Sequence, residues 1–155
     1  FGTSNGSESW FRVPPKSVVR ITITDFSLTN YYGPMTDSYL EIANKVLRFT
    51  AERDWEKFHS PKNLLISLVS EVGELAEILQ WRNEDELLDY IQTEEGKNRL
   101  SEEMADVAIY LIRLSQISKV NLLESIDEKL KLNEQKYPIN LAKGNAIKYS
   151  ERRND

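Results

Sequence analysis

The chain has 155 residues, 40% of them hydrophobic and 29% charged, with a formal net charge of −5. These are ordinary values for one globular domain with a modest core, and with no basic stripe to offset the charge they argue against a general nucleic-acid binder. There is no Cys and a single His, His59, which excludes disulfides, thiolate chemistry and a multi-histidine metal site within one chain.

Residues 1–34 differ from the rest. The start, FGTSNGSESWFRVPP, has no initiating Met and lacks both the basic start and the apolar stretch of a secretory signal. We therefore expect a cytoplasmic protein, or an organellar one if a targeting piece has been removed. No uninterrupted apolar stretch is long enough to span a bilayer. In SVVRITITDF, Val19, Ile21 and Ile23 alternate with Val18, Arg20, Thr22 and Thr24. That period of two predicts one strand or an extended arm, paired across a subunit interface or laid along the body. The blander expectation is an extension without a catalytic role, with Met35 as an internal natural start.

From Thr36 onward the pattern is helical. Thr36 is placed to cap a first helix over residues 36–55, with Leu40, Ile42, Ala43, Val46, Leu47 and Phe49 as apolar positions. Ser60-Pro61 is a start signal, with Ser as cap and Pro at the first helical position. The helix that follows reaches Trp81 on a stripe of Leu64, Leu65, Leu68, Val69, Val72, Leu75, Ala76 and Leu79. Asn83 opens the short segment EDELLDYIQ, and Thr93 or Ser101 starts the next helix. Asn121 with Glu124 has capping-box spacing for a last helix to Tyr137, which Pro138 stops. The expected organisation is an extension over 1–34, an all-α bundle of four to five helices over 35–138, and a polar surface tail over 139–155.

The chemistry lies in two carboxylate pairs, Glu71 with Glu74 and Glu103 with Asp106. A three-residue spacing puts both members of a pair on one helix face. If the two helices pack together, four acids converge, and they stay ionised at close range only with a counter-charge. Carboxylates, carbonyls and waters are the ligands available in quantity, which favours Mg²⁺, Mn²⁺ or Ca²⁺ over Zn²⁺. Glu71 falls on the apolar stripe, since Leu68, Glu71 and Leu75 run i, i+3, i+7. Asp106 stands between Ala105 and Val107 in a largely apolar helix, with Tyr110 one turn on. A charge at such positions is costly to bury unless paired or bound to metal. Most helical glutamates are solvated, and Glu77, Glu84 and Glu102 are read that way.

Other residues suit a nucleotide. Trp55 and Trp81 sit at helix ends, where each either stacks a base or serves a core or interface. His59, in the loop KFHSP, is a candidate donor to a base or phosphate, or simply a solvated loop residue. Lys129, Asn133, Lys136 and Tyr137 share one partly basic face, suited to a triphosphate or merely solvated.

The runs FTAERDWEKFHSPKNLLISLVSEVGELAEILQW, RLSEEMADVAIYLIRL and KLKLNEQKYP resemble the MazG-type all-α nucleoside triphosphate pyrophosphohydrolases, most closely the dCTP pyrophosphatase branch. Their signature is ExxE followed by ExxD, and here it reads Glu71-Val-Gly-Glu74 and Glu103-Met-Ala-Asp106. The resemblance covers about residues 36–150. It implies Mg²⁺ (or Mn²⁺) on Glu71, Glu74, Glu103 and Asp106, with Glu71 or Glu74 acting on the attacking water. Trp55, Trp81 and His59 would line the base pocket, Tyr110 and Asn133 would lie near sugar and phosphates, and Lys129, Lys136 and Tyr137 would face the phosphates. It further implies hydrolysis of dCTP or a 5-modified dCTP to monophosphate and pyrophosphate by a homodimer or homotetramer, in nucleotide-pool sanitation. Some dCTP-specific members carry a further His near Val46, and its absence here would loosen base selectivity. Two alternatives stay open: the same fold acting on another (d)NTP, and a helical interaction module without turnover. A carboxylate-bridged di-iron bundle uses Glu-x-x-His on two helices, which this chain lacks.

Overall fold

The structure, a computed structural model, describes residues 39–151. The expected strand over residues 17–26, the cap Thr36 and the start at Met35 lie outside them. Among the described residues every regular element is helical, so the protein is all-α. The helices are α1 (Tyr39–Ala51), a 3₁₀ turn (Glu56–Phe58), α2 (Pro61–Leu79), α3 (Glu84–Tyr90), α4 (Glu94–Ser118), α5 (Leu122–Lys136), α6 (Ile139–Ala142) and a second 3₁₀ turn (Tyr149–Glu151). The described residues form two compact units, 39–122 and 123–151.

In the first unit α2 lies along α4, the most extensive helix pairing of the structure, and α1 also packs on α4. The boundaries have local causes. Ser60 accepts from the Asn63 N–H at 3.2 Å with Pro61 at the first position of α2, closing one of the donors a helix start leaves open. Asn83 and Glu86 form a reciprocal capping box at α3. Thr93, not Ser101, starts α4: its hydroxyl accepts from the Gly96 N–H at 3.0 Å. α4 ends at Lys119, a left-handed residue (φ 55°) whose N–H donates to the Ser115 and Gln116 carbonyls.

Two expectations need correction, the end of the first helix and the character of the tail. The first helix stops at Ala51 rather than reaching Trp55, because Asp54 turns left-handed (φ 53°) and the Trp55 N–H donates back to the Thr50 carbonyl at 3.0 Å. The other two long-helix ends fall close to expectation, α2 at Leu79 near Trp81 and α5 at Lys136 beside Tyr137. The tail is not merely a surface loop, since Pro138 is followed by α6 and a 3₁₀ turn.

The buried apolar set is small. Ala43, Val46 and Ile112 form a cluster flanked by Tyr39 and Leu122, and Leu64 and Ile78 of α2 are each 1% exposed. The stripe expected on α2 therefore divides. Leu64 and Ile78 are buried and Leu68, Leu75 and Leu79 half-buried, whereas Leu65, Ile66, Val69 and Val72 are exposed.

Gly96 is the glycine that close packing requires. A Cβ there would collide with the Tyr90 carbonyl, whose carbon would stand 2.8 Å away. Backbone atoms cannot rotate aside, so Gly96→Ala is expected to destabilise by about 1–3 kcal/mol, the range for overpacking. Urea unfolding checks it; an unchanged midpoint would contradict the packing at the α3–α4 junction.

Candidate metal centre and nucleotide site

The α2–α4 pairing brings acids together. Glu71, Glu74 and Glu103 each offer a carboxylate oxygen within 4.8 Å of the others. Glu71 and Glu103 are half-buried and Glu74 is exposed. Asp106 is exposed and outside this trio, so the cost of burial expected for it does not arise in the single chain. Its field still reaches Glu71. Burial pushes the Glu71 carboxyl above its ordinary range, with Glu74, Asp106 and Glu103 adding to the rise in that order.

The spacing fits hard cations. Two Mg–O bonds end to end reach ~4.2 Å, and two Ca–O bonds about 5 Å, so oxygens this close lie at the scale one or two divalent ions bridge. All the donors are carboxylates, the chemistry that Mg²⁺, Mn²⁺ and Ca²⁺ share.

The expected aromatic and loop residues lie in the same unit, 39–122. Trp55 precedes the first 3₁₀ turn, is half exposed, and meets the Phe49 ring edge-on at 5.7 Å. Arg53 stacks on the other partner of that pair, 3.7 Å from the Phe49 centroid. Trp81 is 84% exposed just past the end of α2. Tyr110 is half-buried on α4. His59 is half-buried, and its Nδ1 accepts from Arg113 Nε at 3.1 Å. Burial, then the Arg113 guanidinium, holds the imidazole below its usual range, partly opposed by Glu56.

Sequence reasoning missed the residues around His59. The Arg113 side chain is 3% exposed; it donates to Gln116 Oε1 at 3.0 Å and reaches Glu56 Oε1 at 3.5 Å. Gln116 in turn donates to the Ala43 carbonyl at 2.7 Å. The signal was a lone cation in the apolar run VAIYLIRL, since a charge there needs partners if it is buried.

In the second unit, Lys129, Asn133 and Lys136 lie on α5, Asn133 half-buried and the lysines exposed. Tyr137 follows it, edge-on to Tyr149 at 5.9 Å, with Lys136 Nζ 5.1 Å from the Tyr149 ring.

An all-α fold with ExxE on one helix and ExxD on the helix packed against it defines a class. The MazG-like family model matches residues 66–151, and the chain belongs to that family. It is 45% identical over 103 residues to dCTP pyrophosphatase 1 of Mus musculus and 44% to that of Homo sapiens. The alignments cover 66% of this chain, which spans 61% of the length of these relatives. A crystal structure of a pyrophosphatase from Archaeoglobus fulgidus is similar, with a TM-score of 0.59 and 41% identity over 63% of this chain and 90% of that one.

The raised Glu71 carboxyl binds its proton more tightly in the folded chain than in the unfolded one. With metal chelated, folded stability should therefore fall as pH rises from the ordinary value of 4.5 through the raised one. Glu71→Gln should flatten that fall and raise the thermal midpoint at pH 7. Thermal melts in chelator from pH 4.5 to 7 would contradict the cost of ionising half-buried Glu71 beside its neighbouring acids if parent and variant ran in parallel.

Proposed function

We propose that the protein is a divalent-metal-dependent pyrophosphatase that hydrolyses a deoxynucleoside triphosphate, dCTP or a 5-modified dCTP, to monophosphate and pyrophosphate. The observation that carries this reading is the convergence of Glu71, Glu74 and Glu103 where α2 meets α4. Membership of the MazG-like family and likeness to dCTP pyrophosphatase 1 support it. Glu71, Glu74, Glu103 and Asp106 would hold the metal, with Mg²⁺ the first choice and Mn²⁺ the second. The bound cation would supply charge neutralisation on the phosphate oxygens and a more acidic water.

The chain's own residues do the rest. Glu71 or Glu74 orients, or takes a proton from, the water that attacks the α-phosphorus in line. Trp55 and Trp81 offer ring faces to a base, and His59 and Tyr110 offer polar groups to base or sugar. Lys129, Asn133, Lys136 and Tyr137 of the unit 123–151 offer a partly basic face suited to phosphates. Removing modified or excess nucleotides before a polymerase uses them is the purpose such an activity serves.

The protein is proposed to work as a homo-oligomer. Leu65, Ile66, Val69 and Val72 of α2, and Met104 and Ile109 of α4, are between 42% and 63% exposed in the single chain. Apolar side chains recurring along site-bearing helices are what a second copy would cover. Among the described residues no helix is long and apolar enough to cross a membrane.

Each canonical dNTP and 5-methyl-dCTP, incubated with Mg²⁺ or with chelator, should separate the outcomes. Chelator-sensitive release of monophosphate and pyrophosphate, fastest with cytosine nucleotides, is expected. Release fastest with another base moves the substrate, and no release from any of them rejects the reading. Glu74→Gln should lower turnover more than about tenfold, the loss expected for a metal ligand or its supporting group, with an unchanged helical spectrum. Light scattering should return a multiple of the 18.0 kDa chain mass; a monomer would reject the assembly.

A further inference from the structure

Arg113 is the least exposed polar residue among those described, and every partner of its guanidinium lies within the unit 39–122. Nε donates to Nδ1 of His59 at 3.1 Å, Nη1 to Gln116 Oε1 at 3.0 Å, and Nη2 faces Glu56 Oε1 at 3.5 Å. Gln116 is itself tied to α1 through the Ala43 carbonyl at 2.7 Å. The guanidinium is thus held by Gln116 of α4, Glu56 of the 3₁₀ turn and His59 just past it, with α1 reached only through Gln116, and its plane fixes where Nε points.

Arginine carries five N–H donors and no acceptor. The ring atom it meets must therefore present a lone pair, so Nδ1 of His59 is unprotonated and the ring proton sits on Nε2. A doubly protonated ring would set donor against donor and one cation against another. Lone-pair acceptance at Nδ1 also leaves His59 with a single remaining function, donation from Nε2.

We propose that Arg113 is a positioning residue that locks His59 as the neutral Nε2–H tautomer, so that the imidazole presents a bound nucleotide with one fixed donor and no acceptor. The inference rests on the reading above that His59 faces the nucleotide. The matching ligand atom is an acceptor oxygen or nitrogen, on the base or on the phosphates. A substrate offering an N–H at that point is disfavoured, because two donors would meet without water between them.

His59 is the single His of the 155-residue sequence, so one imidazole signal reports the site without assignment. Long-range ¹H–¹⁵N correlation at pH 7 on the full chain should show the Nε2–H tautomer. An Nδ1–H ring, an even mixture or a protonated ring overturns the proposal. Arg113→Met should yield a tautomer mixture while circular dichroism keeps the helical spectrum; if that variant fails to fold, a ¹⁵N–¹⁵N scalar coupling across the Arg113 Nε–H···Nδ1 His59 bond in the parent is the second readout, and its absence overturns the proposal. Adding α,β-imido-dCTP with Mg²⁺ should shift the Nε2 resonance, and Arg113→Met should weaken analogue binding about tenfold, the scale of one neutral hydrogen bond. Unchanged tautomer and affinity in the variant overturn the proposal, as does an analogue that binds without moving Nε2. The same shift with deoxycytidine monophosphate assigns the acceptor to the nucleoside end, and its loss assigns it to the outer phosphates. An analogue that does not bind the parent at all defeats the nucleotide reading, while the tautomer spectra still decide whether Arg113 sets the ring.

Discussion

Packing α2 against α4 forces carboxylates into one another's fields, and the rest of the site follows from that constraint. Leu64 and Ile78 are buried and Leu68 and Leu75 half-buried along α2. Glu71 falls between these apolar positions, so the packing that holds the helices together also carries Glu71 toward Glu103. Burial first, and then the neighbouring acids, hold the Glu71 carboxyl above its ordinary range. A bound cation would turn that penalty into attraction, so the proposed metal would contribute to stability as well as to chemistry.

α4 connects the two chemical features of this unit. It spans 25 residues, about 37 Å at 1.5 Å per residue. Its first half carries Glu103 and Asp106, and its second half carries Arg113 and Gln116. Glu103 and Arg113 are separated by about 15 Å of helix rise, far enough that surface screening weakens any direct coupling between them. The acidic end is solvated and open to an ion. At the other end a buried guanidinium has each of its three nitrogens directed to a partner, which is the condition for keeping such a charge inside a small core.

The single chain buries little. Its core cluster is three small or medium side chains with two flanking neighbours, while large apolar residues along α2 and α4 stay accessible. For a chain of this size such a core supplies modest stability. The exposed faces of these helices would give the proposed assembly both a surface and a thermodynamic reason, and Trp81 is almost wholly exposed.

Much of this was legible in the residues. Ser60-Pro61, Asn83 with Glu86, and Thr93 specify helix starts through local hydrogen bonds that need no distant partner, and the ExxE and ExxD spacing puts each acid pair on one face by helix periodicity alone. Helix ends were harder. Asp54 and Lys119 turn left-handed without being glycine, and no composition signal marks them. Which half of the α2 stripe is buried was not readable either, because Leu64 and Leu65 are equally apolar and only a neighbouring helix distinguishes them. The same holds for Asp106, placed by pattern in an apolar helix yet exposed, and for Arg113, whose partners come from residues 54 and 57 positions away. Sequence by itself determined the helical class, the helix starts at Ser60 and Asn83 and the acid pairs, since these depend on spacing within one segment. Tertiary structure decided which acids meet, which apolar face is covered and which nitrogen of His59 meets Arg113, since each depends on side chains that only chain folding brings together.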